Sequence, residues 1–72
     1  MPKFPSLTPQ KVIKILERKG FVLDRSKGSH RIYIHPVTGK KAVVPFHRKD
    51  LPLGTLRDIF KQAGIEPEEL QD

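Results

Sequence analysis

Two stretches of helical spacing stand near the ends of this chain, and a segment broken up by glycine and proline separates them. In the first, Thr8 suits a helix N-cap, Pro9 the first helical position and Gly20 a left-handed residue just past the end. Val12, Ile13, Ile15 and Leu16 form an apolar stripe, while Lys11, Lys14, Glu17 and Arg18 face water. Leu7 and Val12 are placed to staple the helix start, and Lys19 complements the dipole at its end. In the second stretch, over 52–63, Leu53, Leu56, Ile59, Phe60 and Ala63 recur at helical spacing and Gly64 marks the stop. Glu66 and Pro67 are suited to begin one further turn.

Between the helices the period shortens. Residues 21–24 form a first short strand, and Ser26-Lys27-Gly28-Ser29 is turn material. Residues 30–35 are rich in β-branched and aromatic side chains, as a strand requires. Pro36-Val37-Thr38-Gly39 is a tight turn, and 40–45 return as a third strand. The expected fold is α+β, in the order helix-strand-strand-strand-helix, with a three-stranded antiparallel sheet carrying both helices on one face. No repeat or linker divides the chain, so residues 1–72 are read as a single domain. Alternation along 30–35 leaves one question open. His30, Ile32 and Ile34 share one face, and Arg31, Tyr33 and His35 share the other. Apolarity alone would turn the isoleucines inward.

Charge points to the partner. The chain has 14 Lys and Arg against 8 Asp and Glu, a net charge of +6. Residues 25–49 hold Arg25, Lys27, Arg31, Lys40, Lys41, Arg48 and Lys49 with no acid, together with His30, His35 and His47. A positive field so concentrated attracts a polyanion. There is no cysteine, which excludes disulfides, thiolate metal sites and thiol nucleophiles. No signal-peptide pattern and no membrane-length apolar run occurs, so a cytoplasmic protein without membrane contact is expected.

Gly28-Ser29-His30 joins a basic turn to the central strand. Glycine permits positive φ and close approach, and the strand then holds the histidine rigidly at a mouth. RNA cleavage needs a base for the ribose 2′-hydroxyl, an acid for the leaving 5′-oxygen, and cations for the charge growing on phosphate. A histidine among Arg25, Lys27 and Arg31 suits that task, although Gly-Ser is also ordinary turn material. His35, beside a turn, reads more readily as structural. His47, in the basic loop Phe46-His47-Arg48-Lys49, suits a phosphate contact or plain solvation. The three histidines lack the carboxylates and compact spacing of a metal site, so no metal is expected.

The ordered run Leu16-x-x-x-Gly20-Phe21, Gly28-Ser29-His30-Arg31 and Tyr33-x-His35-Pro36 resembles the HicA family of toxin ribonucleases. Val44-Pro45-x-His47 and Gly54-Thr55-Leu56-Arg57-x-Ile59-x-Lys61-Gln62-Ala63-Gly64-Ile65 extend the likeness over about residues 7–65. The resemblance implies a fold like that of double-stranded-RNA-binding domains. It implies a toxin of a type II toxin–antitoxin system, a metal-independent endoribonuclease (mRNA interferase) that needs neither ribosome nor small-molecule cofactor. It assigns catalysis to His30, with Gly28 and Ser29 as motif support, and it implies a HicB-type antitoxin as partner. Arg25, Lys27, Arg31, Lys40, Lys41, His47, Arg48 and Lys49 are then the expected RNA contacts. It also favours Tyr33 under the helices and His30 on the open face. Relatives often read Leu-Lys-Pro-Gly where this chain has Leu51-Pro52-Leu53-Gly54, which leaves the start of the second helix to be located. The alternative function is a non-catalytic module that binds RNA by shape and charge.

Overall fold

The computed structural model describes residues 7–47 and 49–66. Helix α1 (Pro9–Arg18) leads to strands β1 (Val22–Lys27), β2 (His30–Ile34) and β3 (Lys41–Pro45), and helix α2 (Leu53–Ala63) closes the fold. The strands form one antiparallel sheet in the order β1-β2-β3. The anticipated α+β order is the observed one.

Thr8 begins α1 as its sequence suggests, its hydroxyl accepting the Lys11 N–H with Pro9 at the first position. Lys19 is the C-cap, and Gly20 follows with φ +94°. Val12, Ile13 and Leu16 are buried and Ile15 is partly so. Helix α2 starts one residue later than expected. Pro52 is its N-cap and supplies no capping side chain, and Gly64 ends it in the left-handed region at φ +73°. The Lys40 side chain lies where a Cβ on Gly64 would stand, so its ammonium sits at the carbonyl end of α2. Leu56, Ile59, Phe60 and Ala63 are buried as their spacing demands. Leu53, expected with them, is half exposed, because it lies in the first turn ahead of that packed stripe. The anticipated turn beginning at Glu66-Pro67 runs beyond the described residues.

The first strand is longer than the sequence suggested. It runs on through Ser26 and Lys27, and the turn contracts to Gly28-Ser29, with Lys27 paired to His30. Gly28 has φ +59° while no non-glycine residue among the described ones has positive φ, the signature of a two-residue type II′ hairpin with glycine first. Phe21, taken as part of that strand, precedes it and is buried in the core.

Helix contacts concentrate on β3, and the core lies between the helices and one face of the sheet. It gathers Leu7, Val12, Ile13, Leu16, Phe21, Tyr33, Ala42, Val44, Leu51, Leu56, Ile59, Phe60, Ala63 and Ile65. Every residue of β1 is exposed, because this edge strand projects past the helices. Leu16 is fully buried, and Leu16→Ala should cost about 2–5 kcal/mol. In a domain this small that lowers the thermal midpoint by about 10–30 °C, readable by circular dichroism. Val37→Ala, at a turn residue 86% exposed, should shift it by no more than about 4 °C.

Candidate nucleic-acid interface

Tyr33 settles which way β2 faces. It is buried beneath the helices, so its parity partners Arg31 and His35 lie on the covered side. His30, Ile32 and Ile34 therefore occupy the open face. Burial pushes the Tyr33 phenol above its ordinary pKa and the nearby Glu17 carboxylate adds to this, while Arg31 opposes both by its charge and a hydrogen bond.

Pairing across the sheet lays out the open face as three rows. Lys27, His30 and Pro45 form the row at the Gly28-Ser29 turn. Arg25, Ile32 and Val43 form the middle row, and Val22, Ile34 and Lys41 the far one. Neighbours within a row stand about 5 Å apart, and rows are separated by about 7 Å. His30 is exposed, with Lys27 directly beside it and Arg25 on the diagonal. No acidic side chain occupies any of the nine positions.

A β-bulge produces this arrangement. The register shifts between Leu23 and Arg25, leaving Asp24 as the extra residue. Leu23 stands opposite Tyr33 on the covered side, and Arg25 stands opposite Ile32 on the open side. Strict alternation from Val22 would have put Arg25 and Lys27 with Leu23, away from His30. The Asp24 carboxylate accepts a hydrogen bond from Arg25 Nε at 3.3 Å, an exposed pair that leaves the other guanidinium donors available.

The remaining sequence candidates separate. Lys41 shares the open face but lies two rows from His30. Arg31 is on the covered side, its guanidinium 3.8 Å above the centre of the Phe46 ring, a cation–π contact. Lys40 is engaged at the end of α2, and Lys49 is exposed in the loop before that helix. Arg48 lies outside the described residues. His47 is exposed two residues beyond Pro45, at the sheet end that carries His30.

His35 has a structural environment at the opposite end of β2. Its Nδ1 accepts the N–H groups of Val37 (3.1 Å) and Thr38 (3.2 Å), tying down the turn to β3. The ring meets Phe21 edge-on with centroids 5.2 Å apart. Its Nε2 would stand 2.9 Å from a Cβ on Gly20, so this glycine is required both for its φ and for the approach of the imidazole. Phe46 was read in the sequence only as part of a basic loop. Its N–H donates to the Ser29 carbonyl at 2.6 Å, and its ring supports Arg31. The sole hint in the sequence was an aromatic residue among cations just after a strand.

Among the described residues no group of three histidine or carboxylate side chains is arranged to hold a metal, and no helix is long and apolar enough to cross a membrane. His35→Ala should lower stability by about 1–2 kcal/mol in a thermal melt, through the two backbone donors it leaves unpaired. His30→Ala and His47→Ala, at exposed positions, should each stay within about 0.5 kcal/mol of the parent.

No curated protein matches the chain. A family model does: the HicA toxin of bacterial toxin–antitoxin systems, over residues 9–65. That span runs from the first residue of α1 past the end of α2 and takes in the whole open face, and the chain belongs to the HicA toxin family.

Proposed function

We propose that this chain is an mRNA-cleaving endoribonuclease toxin, active in the cytoplasm, with His30 transferring a proton at the scissile phosphate. The observation that carries this reading is the row Lys27-His30-Pro45. It presents an imidazole at an exposed, rigid strand end with an ammonium beside it and a guanidinium on the diagonal. In the reaction, a ribose 2′-oxygen loses its proton and attacks the adjacent phosphorus, and the bond to the 5′-oxygen breaks. Lys27 and Arg25 hold the phosphate oxygens as charge develops. The products are a 2′,3′-cyclic phosphate and a 5′-hydroxyl, and the protein's own groups suffice without a cofactor. Gly28 and Ser29 contribute the narrow turn that leaves His30 unobstructed.

A HicB-type antitoxin would restrain the activity. The open face offers it Val22, Ile32, Ile34 and Val43 between cations, a surface that suits a partner with apolar and acidic side chains. Complementary charge speeds such capture. Lys41, Lys49 and Arg48 would add attraction for longer RNA, and Arg31 and Lys40 would act chiefly through the fold.

His30→Ala should lower cleavage of a labelled single-stranded RNA by about 10²- to 10⁴-fold with an unchanged circular dichroism spectrum. EDTA should have no effect on the parent. Full activity in the folded variant would overturn the assignment. A non-catalytic RNA-binding module would instead leave RNA intact at every protein concentration. Lys27→Ala should weaken RNA binding and reduce the slope of log K against log salt by about 0.7, the share of one phosphate contact on a single strand. An unchanged slope would remove Lys27 from the interface.

A further inference from the structure

We infer that His47 is the second proton-transfer group, the general acid that protonates the leaving 5′-oxygen while His30 deprotonates the 2′-hydroxyl. The inference rests on the ribonuclease reading and adds the residue that reading lacks. Cleavage by 2′-oxygen attack moves two protons. One leaves the nucleophile as the O2′–P bond forms, and one reaches O5′ as the P–O5′ bond breaks. Two groups of suitable basicity on either side of the phosphorus serve this best, and histidine is the side chain whose ordinary titration range fits both at neutral pH. The open-face neighbours of His30 are Lys27 in its row and Arg25 on the diagonal, residue types suited to holding phosphate oxygens. Lysine and arginine side chains ordinarily titrate far above neutrality, and the Asp24 carboxylate is held at the bulge against Arg25.

The register brings a second imidazole to the same end of the sheet. Pro45 stands directly opposite His30, and the next N–H, from Phe46, donates to the carbonyl of Ser29. The chain leaving β3 is thereby held alongside the Gly28-Ser29 turn. Pro45 lies on the open face, whereas Phe46 is fastened on the other side against Arg31. His47 follows Phe46 two residues beyond Pro45, so along the chain it has the parity of Pro45, the residue paired with His30. His47 is exposed and available to substrate. His35, the remaining histidine, is tied to the opposite end of β2 by its bonds to Val37 and Thr38.

The test uses an oligoribonucleotide that the parent protein cuts, and the same oligonucleotide with sulfur in place of the 5′-bridging oxygen at the cut. A thiolate leaves without a proton, so a general acid becomes dispensable while the base does not. On the oxygen substrate, His47→Ala should cut more slowly by about 10²- to 10⁴-fold. On the sulfur substrate its deficit should shrink to less than about tenfold, while that of His30→Ala persists. The parent's rate should be bell-shaped in pH, and His47→Ala should lose the decline on the alkaline side. Equal deficits on both substrates would make His47 a binding residue and overturn the proposal. Unimpaired cleavage of the oxygen substrate by His47→Ala, or rescue of His30→Ala by sulfur, would also overturn it. A parent protein that cuts no RNA would instead overturn the ribonuclease reading on which the proposal stands.

Discussion

Pleating forces adjacent residues of a strand onto opposite faces, and in β2 the burial of Tyr33 fixes the direction for all its neighbours. A tyrosine ring packed beneath two helices removes a large apolar surface from water, and a slip of one residue would exchange it for isoleucine and histidine. The slip would also turn His30 into the apolar core, where an imidazole without partners is costly. Core packing and site presentation are therefore one constraint. His30 reaches solvent because Tyr33 does not.

The same logic explains why an irregular feature sits beside the site. A regular β1 would have placed Arg25 and Lys27 on the helix side, leaving His30 without cations in its row or on its diagonal. The bulge at Asp24 reverses the parity halfway along the strand. Leu23 keeps its place opposite Tyr33, and the two cations come round to the open face. Bulges near functional sites commonly re-aim side chains in this manner, and on an edge strand they also discourage unwanted pairing. The Gly28-Ser29 turn then fixes Lys27 and His30 as direct cross-strand neighbours.

Much of this was legible in the sequence. The start of α1 and the ends of both helices follow from Thr8, Pro9, Gly20 and Gly64, residues whose preferences are local. The structural character of His35 was legible from the turn beside it, although the demand it places on Gly20 was not. The orientation of β2 was not decidable from periodicity, because Ile32 and Ile34 on the open face are as apolar as a core requires. A bulge leaves no mark on composition, so the side on which Arg25 and Lys27 stand could not be read from alternation. Distance in sequence also misled. Arg31 and Lys40 belong to the same basic stretch as Lys27, yet one stacks on Phe46 across the sheet and the other lies at the end of α2. Charge counted along the chain locates a field, and only the register says which charges share a face.

The central claim is that the open face of this HicA-family chain directs a ribose 2′-oxygen at the neighbouring phosphate. Replacing the single ribose at the cut with 2′-deoxyribose tests it most directly, with mass spectrometry of the fragments from the unmodified oligonucleotide. The account predicts that the deoxy substrate is bound but not cut there, and that the unmodified one ends in a 2′,3′-cyclic phosphate. Cleavage of the deoxy substrate at the same site and rate would contradict it.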